Sequence, residues 1–299
     1  LQKRYSERLS LLSEQGVRKH HGPPSRLAKF VIGLGVFFTV LPFISVLFSS
    51  FQVRKITDGS VEYVWTLEGW RNAWGGDLST MGVGEAMSNS IIYALCTLLV
   101  ALPLGWILAS TIFKLEQSGW SKSSKLLDLA CMLPLAISAL MVGLGVLLGG
   151  LRWYPEMFSW FLLPVYPHVL LTVPFVVRVM LPAYHSLDPA YTEQCQMLNL
   201  SPLRSWYHGT LMFLRGPAVV SGSLTLAFSL GEFGASWLLV RSGNWDTLSI
   251  VVDQLMSRPN FDPLIHPTAM AAATMLMMLT FFLFLFAERF RAHDQRSGF

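Results

Sequence analysis

The sequence predicts an all-α membrane protein with six transmembrane helices. Two observations lead to that class. The 299 residues are 53% apolar and 13% charged, with a mean hydropathy of +0.48, whereas roughly a quarter of the residues of a soluble domain are charged. The charges are also clustered, which leaves long uncharged runs. A hydrocarbon layer of ~30 Å needs about 20 consecutive apolar residues per helix, and six such runs can be read.

The first 29 residues are polar and basic, with Lys3, Arg4, Arg8, Arg18, Lys19, Arg26 and Lys29, and Gly22-Pro23-Pro24 interrupts any helix there. Span one is expected over Phe30–Phe51, with Pro42 as a possible kink. A mixed loop over 52–86 follows, whose Trp65, Trp70 and Trp74 suit a membrane interface. Span two is expected over Ser88–Phe113 and span three over Leu126–Leu151. In span three, Gly143, Gly145, Gly149 and Gly150 allow close helix approach. Span four is expected over Trp160–Met180; its Pro164, Pro167 and Pro174 suggest a bend. Span five is expected over Ala218–Val240, a loop over 241–266, and span six over Pro267–Phe290, with a basic tail at 291–299.

Six spans put both termini on one side, and the distribution of Lys and Arg selects which. With the N-terminus inside, the outer loops hold Arg54, Lys55, Arg71, Arg152, Arg241 and Arg258, and the rest of the 22 basic residues fall inside. The loop between spans four and five is then cytoplasmic. Cys96, Cys131 and Cys195 have no metal-ligand spacing, and neither a disulfide nor a bound metal or other cofactor is expected. The chain has no G-x-x-x-x-G-K-[ST], H-E-x-x-H, Cys-x-x-Cys or G-x-S-x-G string, so no enzyme reading has residues to rest on.

That central loop, Leu187–Pro217, is a polar island between apolar runs. Asp188-Pro189 and Ser201-Pro202 each pair a capping side chain with a proline suited to a first helical turn. Asn199 tolerates the left-handed conformation that ends helices. The expectation is a helix, a sharp turn, a short helix, and Pro217 opening the next span. Two short helices outside a membrane suit docking onto another protein, although an ordinary loop would carry similar caps.

Two intramembrane groups stand out. Glu232 lies within span five, in Gly231-Glu232-Phe233-Gly234-Ala235. A carboxylate at that depth costs ~3 kcal/mol unless paired or hydrated, so it is either a paired structural group or a functional one. His168 in span four reads first as a hydrogen-bonded packing residue. Arg178 lies near the cytoplasmic end of the same span and can extend its head to the interface.

The loop resembles the cytoplasmic "EAA" loop of binding-protein-dependent ABC-importer permeases, whose pattern is E-A-A, three residues, G, nine residues, I-x-L-P. Glu193 falls on the glutamate, Asn199 on the glycine and Leu211 on the leucine. Gln194 and Cys195 replace the alanines, Gly209 the isoleucine and Met212 the proline. Ser201-Pro202-Leu203-Arg204, Leu214-Arg215-Gly216-Pro217 and Pro174-Phe175-Val176-Val177-Arg178 also look like that family, and Gly231-Glu232-Phe233-Gly234-Ala235 resembles its ferric-iron, thiamine and oxyanion branches.

The resemblance implies a type I importer permease fold in a bacterial inner membrane. It implies a second permease half, two cytoplasmic ATPase subunits and an extracytoplasmic substrate-binding protein. Asp188, Glu193, Asn199, Ser201, Arg204 and Leu211 would form the ATPase-contacting coupling helices. Gly231, Glu232, Gly234 and His168 would lie near the translocation path. Thiamine or ferric iron would be the cargo, with oxyanions second. The basic start and the leading Leu1 fit the second half of a fused permease or one subunit of a pair. The competing reading is an ion- or proton-coupled secondary transporter using Glu232 and His168 as a relay.

Overall fold

The computed structural model describes residues 25–57, 60–76, 78–240, 245–259 and 261–296. The basic stretch up to Pro24, Arg241 and the last three residues of the tail lie outside them. The chain divides into two compact units, residues 1–45 and 46–299. In the first, the described residues form most of one apolar helix, α1 (Arg26–Ser49), with Pro42 inside it. The Ser25 hydroxyl accepts the Ala28 N–H at 3.2 Å and caps its start.

The second unit opens with an antiparallel hairpin, β1 (Gln52–Thr57) and β2 (Ser60–Trp65), in which Gln52 faces Trp65 and Arg54 faces Tyr63. The short helix α2 (Glu68–Gly75) follows and ends on Gly76 at φ 74°. The hairpin and α2 replace the loop expected over 52–86. Alternation in Val61, Tyr63 and Trp65 was the available strand signal.

The core is a bundle of three long helices: α3 (Val83–Gln117), α6 (Val165–His185) and the run from Pro202 to Gly231. Small residues let α3 and α6 meet closely. Ala101, Gly105 and Ala109 recur every four residues on the buried face of α3, and a methyl group added at Gly105 would lie 2.5 Å from Val176 Cβ. In lipid such stripes replace the hydrophobic effect as the means of tight packing.

Span three is not a straight helix. It is two helices, α4 (Ser121–Ala136) and α5 (Ala139–Trp153), bent by 96° at the join. Pro134 has no N–H for the last turn of α4, Ile137 is extended at ψ 143°, and the Ser138 hydroxyl accepts the Met141 N–H at 3.3 Å to start α5 afresh. Span four begins later than expected, at Val165, after a 3-10 turn over Pro155–Ser159.

After the central loop, with helices α7 (Pro189–Met197) and α8 (Pro202–Trp206), a wide π turn at Tyr207–Leu211 leads directly into α9 (Met212–Gly231). Pro217 therefore lies inside a continuous helix and does not open one; local π widening is a known accommodation of proline in membrane helices. Span five likewise breaks. α9 ends at Gly231 and α10 (Gly234–Leu239) restarts beyond Glu232 and Phe233. The supposed loop over 241–266 contains α11 (Leu248–Met256), buried on α12 (Ile265–Arg296) through Leu248, Val251 and Leu255 against Ala269, Ala271 and Ala272.

Among the described residues, five helical segments are long and apolar enough to cross a membrane, and the bent α4–α5 pair makes a sixth if it counts as one span. Gly105→Leu is expected to force α3 off α6 and to destabilise the protein by about 2 kcal/mol or more. Thermal melting of the detergent-solubilised protein measures this, and an unchanged midpoint would contradict the close approach.

Candidate functional site

The structure builds two candidate sites at different depths along α3. The first is the central loop. Asp188 Oδ1 accepts the Ala190 N–H at 3.0 Å and starts α7. At the far end, Asn199 takes φ 49°, the conformation expected of it. Leu200 N–H donates to the Cys195 carbonyl at 3.2 Å and Leu198 N–H to the Gln194 carbonyl at 3.0 Å, closing the helix in the Schellman manner. Ser201 has the extended ψ of 152°, but its hydroxyl accepts no capping bond. Its carbonyl accepts the Ser205 N–H at 2.9 Å instead, and Pro202 supplies the first turn.

Asp188, Glu193, Asn199, Ser201 and Arg204 are all exposed, and Leu211 is half-buried in the π turn. Around them Met197, Leu198 and Leu203 are 85%, 71% and 79% exposed, so the loop presents apolar tips among charges. Cys195 points inward and is buried.

The loop stands on an aromatic support that the sequence did not announce. Tyr191 packs on Phe213 at 4.2 Å, and Trp206 lies 6.3 Å from Trp106. Trp106 Nε1 donates to Tyr184 Oη at 2.7 Å, and Tyr184 stacks on Phe113. His185 Nε2 lies 3.2 Å from Glu116 Oε2, and Glu116 Oε1 accepts the Ser124 hydroxyl at 3.1 Å. The ends of α3, α4 and α6 are thus tied together beneath α7 and α8.

The second site lies about midway along α3, at Thr97, and it joins the two intramembrane groups. His168 Nε2 is 3.1 Å from Glu232 Oε2 and 2.7 Å from Ser236 Oγ, while Nδ1 is 2.7 Å from Ser229 Oγ. Ser229 in turn lies 3.4 Å from Thr97 Oγ1. Glu232 Oε1 accepts the Ala235 N–H at 2.8 Å, and Oε2 accepts the Ser236 N–H at 3.1 Å and the Ser236 hydroxyl at 3.0 Å.

Glu232 thus sits in the break of span five, not within a helix, and its carboxylate caps the restarting helix α10. Both side chains are sealed, at 0% exposure for His168 and 2% for Glu232. Among the described residues no buried side-chain nitrogen or oxygen of the cluster lacks a hydrogen-bond partner, so the arrangement is a clamp. It fastens α6 to the α9–α10 break. Of the flanking glycines, Gly231 is exposed with open space beside it, and Gly234 abuts Leu140 at the start of α5. Arg178 pairs loosely with Asp128, at 3.7 Å. Among the described residues no group of three His, Cys, Asp or Glu side chains could hold a metal ion.

A third polar centre was missed by sequence reading. Asp246 is buried, and its Oδ2 accepts from Thr80 Oγ1 at 2.6 Å and Gln254 Nε2 at 2.9 Å. Asn89 Nδ2 donates to its carbonyl at 3.2 Å. This cluster anchors residues 245–247 at the start of α3, the end opposite to the central loop. In the sequence Asp246 is one of several charged residues of the 241–266 loop, with Arg241, Asp253, Arg258 and Asp262, and nothing set it apart.

His168→Ala is expected to leave the buried Glu232 carboxylate without its imidazole partner and to cost about 3 kcal/mol or more. Glu232→Gln preserves the acceptor toward α10 and should cost less. Melting of both variants tests this order; a His168→Ala protein that melts like the wild type would refute the clamp.

No protein-family profile matches the chain. Sequence relatives do. A 2-aminoethylphosphonate transport system permease protein, PhnV of Salmonella typhi, is 28% identical over 261 residues, covering 86% of this chain and 94% of the relative. The thiamine transport system permease protein ThiP of Haemophilus influenzae is 26% identical over 302 residues, 98% of this chain; the chain spans 51% of ThiP. The fold is shared with a solved bacterial ABC transporter involved in the import of the acidic polysaccharide alginate, at a TM-score of 0.65 and 16% identity over 91% of this chain and 96% of the other. In sequence the chain is thus similar, over nearly its whole length, to transport-system permease proteins, and it shares the type I-like fold of a solved ABC transporter.

Proposed function

We propose that the chain forms one half of a substrate pathway and passes the movement of a cytoplasmic ATPase through residues 187–217. The observation that carries the reading is the build of that loop: two short helices around a left-handed Asn199, exposed apolar tips, and an aromatic base continuous with α3 and α6. In this mechanism Asp188, Glu193, Asn199, Ser201, Arg204 and Leu211 form or shape the ATPase-facing surface. Met197, Leu198 and Leu203 supply its apolar contact.

Closure of an ATPase pair would push α7 and α8. Trp206 would transmit the push to Trp106, and Trp106 to Tyr184, so that α3 and α6 move together. The His168–Glu232 clamp makes α9 and α10 follow, because a sealed and fully bonded cluster moves as a block. Gly231, Gly234, Glu232 and His168 then border the pathway by holding the break open in one geometry. A second permease half, two ATPase subunits and an extracytoplasmic binding protein complete the machine in a bacterial inner membrane. The positive-inside bias supports a cytoplasmic side for both termini.

The cargo is a small charged solute. The thiamine relative supports the thiamine reading that the span-five motif suggests. The phosphonate relative favours an oxyanion as the second reading. The burial and complete pairing of Glu232 and His168 weigh against a proton relay through them.

Purification of the chain with its membrane partners tests the assignment. An ATPase subunit should accompany the wild type, and Glu193→Lys should remove most of it; absence of any ATPase from folded protein would overturn the reading. Trp106→Leu separates docking from transmission. It should retain the ATPase but lose most of the stimulation of ATP hydrolysis by substrate-loaded binding protein, read as phosphate release.

A further inference from the structure

At the end of the molecule opposite the central loop lies a cavity of about 650 Å³. Its walls come from the end of α1, the hairpin and the start of α12. The lining includes Ser49, Gln52, Arg54, Lys55, Tyr63 and His266. Arg54 and Tyr63 are directly opposed in the hairpin and so share one face, as does Gln52 two residues away. The lining carries the Arg54 guanidinium, a histidine and several neutral donors against one carboxylate, while Lys55, though part of the wall, is opposed to Glu62 on the other face of the hairpin. The lining carboxylate, Asp262, is engaged through Oδ1 with the Leu264 N–H at 2.8 Å. The balance suits an anion with several acceptor oxygens.

Depth decides which anion. Ser49 is the last residue of an apolar helix and His266 sits in the first turn of another, so the cavity opens at the level where hydrocarbon gives way to headgroups. Exposed aromatic rings mark the same level. Trp65 and Tyr63 are 59% and 63% exposed, and Phe48 packs edge-on against Trp65 at 6.0 Å. Aromatic residues of this kind gather at membrane interfaces.

We propose that this cavity is a binding site for the phosphate headgroup of an anionic phospholipid. Arg54 supplies the charge, Tyr63 and Gln52 the neutral donors, and Phe48 and Trp65 flank the acyl chains. The site pins the hairpin, and with it the start of α12, to the bilayer surface. It rests on the chain spanning a membrane, and not on an ATPase partner or a particular cargo.

The test uses the detergent-purified assembly, stripped of native lipid. Dioleoyl phosphatidylglycerol or dioleoyl phosphatidylcholine is added and bound lipid is counted by native mass spectrometry. Phosphatidylglycerol should bind in preference. Arg54→Gln should weaken it about five-fold, whereas Lys55→Gln, on the other face of the hairpin, and Arg71→Gln, outside the cavity, should not. Unchanged melting of all three variants confirms that folding is intact. Equal binding of the two lipids, or full phosphatidylglycerol binding by the Arg54→Gln protein, would overturn the proposal. Displacement of the lipid by inorganic phosphate at matching concentration would also overturn it, because the site would then take a free anion.

Discussion

The arrangement depends on one carboxylate. A helix broken inside a membrane exposes N–H groups that lipid cannot satisfy, and each unsatisfied group costs several kcal/mol. Glu232 resolves this at the break between α9 and α10 by accepting the N–H groups of Ala235 and Ser236. The charge so introduced would itself be costly, and His168 and Ser236 offset it from the other side. His168 is held in turn by Ser229. Removing any member would leave another stranded, so the cluster is a unit and not a set of separable contacts.

The clamp also fixes what packs around it. With α10 oriented, Ala235 comes so close to α5 that a methyl group on Gly143 would lie 2.7 Å from the Ala235 Cα. The second half of one broken span thereby rests on the second half of another. The Glu232 carbonyl accepts the Ser249 hydroxyl at 3.2 Å, which ties the break to α11. Two discontinuous spans are joined at their breaks and fastened to the uninterrupted helices α3 and α6.

The long helix α3 links the three centres. Its 35 residues extend about 50 Å at 1.5 Å per residue. Asp246 and its partners grip its first turns, Thr97 meets the clamp near its middle, and Trp106 and Phe113 support the central loop near its end. The small-residue stripe at Ala101, Gly105 and Ala109 holds it against α6 between those points. The glycine supplies the closest approach between the two helices.

By itself the sequence determined the class, the positions of most apolar helices and the turn at Asn199. These follow from local properties: the length of an uncharged run, and the few residue types that adopt a left-handed backbone. It also singled out Glu232 and His168, since ionisable groups are rare at membrane depth. Their pairing was not legible, because residues 64 apart in sequence meet only once α6 and α9 have packed. The breaks at Ile137 and Glu232 were likewise hidden, because an apolar run reads the same whether its helix is straight or interrupted. What ends a helix there is a proline or a capping side chain whose partners come from elsewhere in the fold. The tertiary structure alone turned a lone carboxylate into a clamp, and a scatter of Trp, Tyr and Phe into the support beneath the central loop.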